Sequence, residues 1–131
     1  MVSNYTPRIL LVDLTQGLVE SQDLDEGTAR KFIGGTGLAA KVIWNETSAT
    51  TDPLSPENPL IFMTGPLTGI AAPMSSRITV AALSPQTGIW GESHAGGSWP
   101  DELRRSGFDG IIIKGKAKQP SCVLRPLCRA R

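Results

Sequence analysis

The chain has 131 residues, enough for one domain with a single modest core. Hydrophobic residues make up 40% of the sequence and charged residues 19%, which is ordinary for a globular protein. The net charge is only +1, yet the six basic residues from Lys114 onward have no acid among them. Because no aromatic residue is interleaved with these charges, we expect a solvated basic end and no nucleic-acid partner.

Neither a membrane segment nor a thiol-based site is indicated. No apolar run approaches the roughly 18 residues that span a membrane, and the N-terminus lacks the charged region of a signal peptide. Cys122 and Cys128 are spaced unlike the ligands of a zinc site or cluster. We therefore expect a cytoplasmic protein with no membrane partner, and we assign it no metal-ligating residue.

Short β-type runs and brief helical patterns follow one another along the chain. A hairpin comes first, because apolar runs flank the turn Thr15-Gln16-Gly17. Two helices follow, the first capped by Asp25, with Gly34-Gly35 between them. The predicted elements are, in chain order, strands at 8–13 and 18–20, helices at 25–33 and 38–46, strands at 60–63, 77–83 and 88–92, a helix from Ser98 to Gly107, and strands at 109–113 and 123–124.

Two of these elements carry specific expectations. The continuous apolar run Leu60–Met63 is more consistent with a buried strand than with an edge strand. Ser98 and Asp101 form the pattern of a capping box at the start of the third helix. Since strands and helices do not alternate as in a doubly wound sheet, we predict an α+β fold of small β-sheets with a few short helices.

Familiar catalytic motifs are missing from the sequence. There is one histidine, and no G-x-S-x-G, H-E-x-x-H or C-x2-C motif, so we assign no catalytic residue. The run Gly34–Gly37 opens a helix and could cradle a phosphate, but it lacks the dinucleotide-binding pattern. A glycine-rich break between two packed helices is the favoured interpretation.

Two segments could together bind a phosphate. Residues 72–77 deliver Arg77 to the start of a strand, and residues 93–97 form a small-residue loop before a helix. An arginine is a forked donor suited to phosphate, and glycines let the backbone approach a ligand. The alternative is an ordinary surface arginine beside a glycine-rich turn. The candidate cofactor-binding residues are Arg77, His94, Ala95, Gly96 and Gly97.

In these segments the sequence resembles the aldehyde ferredoxin oxidoreductase family. The resemblance extends over roughly residues 8–120 and rests on several short motifs that occur in the family's order. These motifs are FIGGTGLA at 32–39, DPLSPENPLI at 52–61, TGPLTG at 64–69, AP…R at 72–77, SP.TG at 84–88, GG at 96–97, EL at 102–103, GFDGII at 107–112 and GKA at 115–117.

The resemblance implies an α+β domain that forms a floor for a tungsten or molybdenum bis-pterin cofactor. In the family, the arginine matching Arg77 and the loop matching His94-Ala95-Gly96 contact one pterin. A backbone carbonyl near His94 is associated with a magnesium ion that bridges the pterin phosphates. Many members have asparagine at this position. Because the expected contact is through the main chain, this difference need not abolish binding, and we expect His94 to be satisfied by local hydrogen bonds.

The resemblance also divides the chain and implies partners. Residues 1–120 match part of the N-terminal, pterin-binding domain, and residues 121–131 form a divergent basic tail whose ending suggests truncation or an altered reading frame. The family's [4Fe–4S] cluster and substrate pocket lie beyond this match. We expect the cofactor-binding portion of an enzyme that oxidises aldehydes to carboxylates and passes electrons to ferredoxin, inactive without its remainder or a partner subunit. The alternatives are a scaffold or assembly module, or a decayed fragment.

Overall fold

Six strands and three helices make up residues 6–70 and 72–122, the part of the chain that the computed structural model describes. The strands are β1 (Arg8–Asp13), β2 (Leu18–Asp23), β3 (Leu60–Thr64), β4 (Ile78–Leu83), β5 (Trp90–Ala95) and β6 (Gly110–Lys114). The helices are α1 (Glu26–Phe32), α2 (Gly35–Glu46) and α3 (Trp99–Arg105).

The strands join in one mixed sheet in the order β2-β1-β6-β3-β4-β5. The β1–β6 pair is parallel, and the other four pairs are antiparallel. β3 is paired on both sides, as the apolar run Leu60–Met63 predicts. The α+β class is therefore confirmed, although the described strands form a single sheet where the sequence suggested several small ones.

Each face of the sheet packs against different helices. On one face α2 buries Leu38, Ala39 and Ile43 against the sheet, with α1 beside it. On the other face Leu103 of α3 packs with Phe108 and with the strand residues Leu10, Val12 and Ile78. A six-stranded sheet with helices on both faces buries enough apolar side chain to form a core from short elements.

The structure confirms one local prediction and corrects others. Asp25 accepts a hydrogen bond from the Thr28 backbone N–H at 2.9 Å, so the predicted cap of α1 is confirmed. The capping box at Ser98 is wrong, because this residue has helical backbone angles and its side chain makes no cap hydrogen bond. β5 begins at Trp90 and ends at Ala95, later at both ends than the predicted 88–92, and it includes His94 because it pairs with β4 along its full length. The predicted strand at 123–124 and most of the 121–131 tail lie outside the described residues.

Asp109 links three strands and a helix near the start of β6. Its carboxylate accepts a hydrogen bond from the Arg8 backbone N–H at 2.8 Å and pairs with the guanidinium of Arg104. Its carbonyl accepts from both the backbone N–H and the hydroxyl of Thr64, at 2.8 and 2.7 Å. The Asp109 residue is only 5% exposed, so these bonds replace the water that the buried carboxylate would otherwise need.

The N-terminus of α2 is packed directly on the end of β3. A Cβ atom on Gly34 would lie 2.9 Å from the Thr64 carbonyl oxygen and 3.1 Å from the Cα of Gly65. A Cβ on Gly37 would lie 2.3 Å from the carbonyl oxygen of Phe32. These contacts support the interpretation of residues 34–37 as a close-packed break between two helices.

Within the described residues, none of the three helices is long and apolar enough to cross a membrane.

Replacement of Asp109 by alanine should destabilise the fold by about 2–4 kcal/mol, because it removes the carboxylate beside a guanidinium that is 22% exposed. Urea unfolding followed by circular dichroism measures the loss. Asp23→Ala is the matched control. Both side chains of the Asp23–Arg8 pair are exposed, so the pair should contribute little to the free energy of unfolding. Equal losses in both variants would contradict the role given to Asp109.

Gly34→Ala should destabilise the protein by about 1–3 kcal/mol, because the added methyl group has no room against the end of β3. Gly65→Ala is the control, since a Cβ there would meet nothing within 4 Å. Thermal unfolding of the two variants checks the prediction, and a Gly34→Ala protein as stable as the control would show that α2 does not pack as described.

Candidate functional site

One end of the sheet gathers the candidate residues. Antiparallel pairing places the end of β3 beside the start of β4 (Thr64 opposite Ile78), and the start of β4 beside the end of β5 (Ile78 opposite Ala95). The start of β6 and the N-terminus of α2 lie at the same end. We call this region the glycine-rich end of the sheet, because it contains Gly34, Gly35, Gly65, Gly96 and Gly97.

Arg77 and the 94–97 segment are neighbours at this end. Arg77 directly precedes Ile78, which pairs with Ala95, so continuing the register places Arg77 opposite Gly96. The hydroxyl of Ser76 donates a hydrogen bond to the carbonyl of Gly97, which ties the two segments together. The two stretches that sequence analysis singled out separately therefore meet in space.

The Arg77 side chain differs from the other described arginines. It is exposed, and no described carboxylate forms an ion pair with it. Arg8, which lies at the same end, donates to Asp23 at 2.8 Å, and this hydrogen bond lowers the pKa of the Asp23 carboxyl. The ion pairs of the other four described arginines are Arg8–Asp23, Arg30–Glu26, Arg104–Asp109 and Arg105–Glu102. The charge of Arg77 is therefore available to an external anion.

The backbone beside Arg77 has room for a ligand. A Cβ on Gly97 would meet nothing within 4 Å, and a Cβ on Gly96 would meet only the Ser76 carbonyl oxygen, at 3.4 Å. Gly97 has φ +102°, a conformation that side chains rarely adopt. The segment thus presents uncovered main chain next to an arginine, which fits a phosphate group.

Both ring nitrogens of His94 face oxygens of the protein. Nδ1 lies 3.2 Å from the hydroxyl oxygen of Thr79, and Nε2 lies 3.7 Å from a carboxylate oxygen of Glu92. The Thr79 contact supports the expectation of a histidine held by local hydrogen bonding. Contact of this residue with a ligand through its main chain stays a prediction.

The residues that hold Arg77 in place were not predicted from the sequence. The buried hydroxyl of Thr68 donates to the Arg77 carbonyl at 3.2 Å and accepts from the Gly65 backbone N–H at 3.3 Å. The Thr68 carbonyl in turn accepts from Nε of Arg104 at 3.2 Å. Thr68 lies inside the TGPLTG motif, which is the signal that could have found it; Arg104 carries no comparable signal.

Among residues 6–70 and 72–122, no group of three or more histidine, cysteine, aspartate or glutamate side chains is arranged to hold a metal ion.

Comparison with known proteins gives consistent matches over most of the chain. The family description "Aldehyde ferredoxin oxidoreductase, N-terminal domain" matches residues 9–124. The tungsten-containing aldehyde ferredoxin oxidoreductase of Pyrococcus furiosus is 42% identical over 113 residues, which cover 86% of this chain and 19% of that protein. An aliphatic sulfonate oxidoreductase, WOR-like subunit, from the same organism is 40% identical over 120 residues, again 19% of its length.

A solved structure has the same fold. The active-site complex BamBC of benzoyl coenzyme A reductase, in complex with 1,5-dienoyl-CoA, includes a chain that superposes with a TM-score of 0.84 at 39% identity. The match covers 86% of this chain and 17% of that one. This chain therefore spans about a fifth of the length of the relatives it matches, and it belongs to the aldehyde ferredoxin oxidoreductase family, whose N-terminal domain it matches.

Proposed function

We propose that this chain is the cofactor-binding portion of a tungsten-pterin oxidoreductase and that its glycine-rich end binds a phosphate group of the cofactor. The observation that carries the proposal is the exposed Arg77 guanidinium, unpaired with any described carboxylate, opposite the open backbone of Gly96 and Gly97. Several matched relatives are tungsten-containing enzymes by name, which agrees with a cofactor of this kind.

The residues at this end have distinct parts in the proposal. Arg77 donates a charged hydrogen bond to the phosphate, and the main chain at His94, Ala95, Gly96 and Gly97 approaches it closely. Thr68 fixes the backbone from which Arg77 extends. When bound, the tungsten or molybdenum bis-pterin would supply the redox chemistry, the oxidation of an aldehyde to a carboxylate in the full-length family.

We assign the remaining parts of the proposed enzyme to polypeptide beyond the region described here. A magnesium ion bridging the pterin phosphates, a [4Fe–4S] cluster and electron transfer to ferredoxin stay predictions from the family resemblance, as does a cytoplasmic location. We propose that the remainder of an oxidoreductase, or a partner subunit, completes the cofactor site, because the matched relatives extend far beyond the region shared with this chain.

Arg77→Gln should weaken the binding of inorganic pyrophosphate, the simplest probe of a phosphate site, by at least about tenfold. A hydrogen bond to a charged group contributes about 1.5–3 kcal/mol, which corresponds to that factor or more. Isothermal titration calorimetry at low salt measures the affinity. Arg30→Gln is the matched control, because the Arg30 guanidinium is exposed but already paired with Glu26. Equal affinities for the two variants would refute the site.

Metal analysis tests the cofactor itself. The full chain is co-expressed with the part of the Pyrococcus furiosus tungsten-containing aldehyde ferredoxin oxidoreductase that lies beyond the shared region. The purified complex is then assayed for tungsten, molybdenum and pterin. The proposal expects metal and pterin with the wild-type chain and a marked loss with Arg77→Gln. A stable complex that contains no pterin would instead support the scaffold or assembly module.

A further inference from the structure

The Ser76 side chain joins the two segments of the candidate site. Its hydroxyl donates a hydrogen bond to the Gly97 carbonyl. β4 begins at Ile78 and β5 ends at Ala95, so the backbone pairing between these strands stops short of both residues. Continuing the register places Ser76 opposite Gly97. The hydroxyl therefore links the two segments at a point where the strand pairing has already ended.

Gly96 and Gly97 have few other contacts to hold them. A Cβ on Gly97 would meet nothing within 4 Å, and a Cβ on Gly96 would meet only the Ser76 carbonyl oxygen. Within residues 6–70 and 72–122, the backbone N–H groups of these two glycines form no hydrogen bond. Because glycine has more backbone freedom than any other residue, two adjacent glycines need an external contact to keep one conformation. The Ser76 hydroxyl provides such a contact.

The same hydrogen bond fixes the direction of the peptide between Gly97 and Ser98. This peptide is trans and planar, so its C=O and N–H groups point in opposite directions. The carbonyl is directed at Ser76, and the N–H of Ser98 therefore points away from that contact. A carbonyl oxygen can only accept hydrogen bonds, so an anion gains nothing from facing it. Ser76 engages this acceptor and leaves N–H donors uncovered.

The fold does not depend on the Ser76 hydrogen bond. All six residues of β5 pair with β4, and the Arg77 carbonyl is held separately by the hydroxyl of Thr68. The Ser76–Gly97 bond is exposed, so water can replace it when it opens. Loss of the hydroxyl should therefore loosen the glycine segment locally and leave the sheet intact.

We propose that Ser76 is a positioning residue of the phosphate site, whose hydroxyl holds the main chain of Gly96 and Gly97 beside the Arg77 guanidinium. The inference rests on the proposed function, because it concerns the same site. The hydroxyl is committed to the Gly97 carbonyl, so Ser76 acts through the main chain that it orients. Donors held in place before binding give a tighter complex, because less conformational freedom is lost when the ligand arrives.

Ser76→Ala should weaken the binding of inorganic pyrophosphate to the full-length chain by about three- to tenfold, the range expected for one lost hydrogen bond. The melting temperature should stay close to that of the wild type. Ser76→Thr keeps the hydroxyl and should restore most of the affinity. Isothermal titration calorimetry at low salt gives the affinities, and thermal unfolding gives the stabilities.

Ser75→Ala is the matched control for this change. The Ser75 hydroxyl donates to the carbonyls of Ile70 and Ala72, at 3.3 and 2.9 Å, and both acceptors lie within the connection between β3 and β4. This hydroxyl makes no contact with the 93–97 segment, so its removal should change the pyrophosphate affinity less than the removal of its neighbour. The control separates the link between segments from the general order of the loop.

The double variant Ser76→Ala/Arg77→Gln tests whether the two residues act together. If the hydroxyl acts by holding the glycine main chain beside the guanidinium, its loss should cost less affinity once the guanidinium is absent. Residues that bound the anion independently would instead give the same Ser76→Ala factor with and without Arg77. Such additivity would overturn the proposal.

The remaining outcomes are equally decisive. Weaker binding by Ser76→Ala, restored by Ser76→Thr and absent from Ser75→Ala, supports the inference. Wild-type affinity in Ser76→Ala, a Ser76→Thr protein as weak as Ser76→Ala, or an equal loss in Ser75→Ala overturns it, and the proposed function stands if Arg77→Gln still weakens binding. Equal affinities for Arg77→Gln and Arg30→Gln would refute the proposed function and this inference together.

Discussion

The buried carboxylate of Asp109 is the constraint on which the glycine-rich end depends. It binds the Arg8 backbone and pairs with Arg104, while its own carbonyl holds Thr64 at the end of β3. Because a charge in the interior must be paired, the positions of β1, β3 and α3 are fixed relative to one another at this end. Arg104 then holds Thr68, whose hydroxyl holds the backbone of Arg77. The candidate site is thus positioned from the core outward through a chain of hydrogen bonds.

Local structure could be predicted from the sequence to a considerable extent, and long-range pairing could not. The apolar run Leu60–Met63 indicated a buried strand, and Asp25 indicated a helix start, because burial and capping leave marks within a few residues. The insertion of β6 between β1 and β3 leaves no such mark. Hydrophobic alternation shows that a strand is buried but not which strand it pairs with.

The candidate site was predictable in part for the same reason. Arg77 and the residues from His94 to Gly97 could be proposed from their chemistry and the family resemblance, but their meeting depends on the β4–β5 register. The availability of the Arg77 charge depends on where every described carboxylate lies, which only the fold determines. The capping box at Ser98 failed because the pattern gives the residue types for a cap but cannot ensure an extended backbone at that position.

Stability and strain are divided unevenly between the two ends of this sheet. At the far end, turns close the hairpins and Lys114 pairs with Glu46 at the end of α2. At the glycine-rich end, the protein holds an available arginine and two non-glycine residues with positive φ, Ile33 and Met74. Selection for stability of the isolated chain would favour glycine at Ile33. The strained backbone therefore lies beside the candidate phosphate site, in agreement with the tendency of strained residues to concentrate at functional sites.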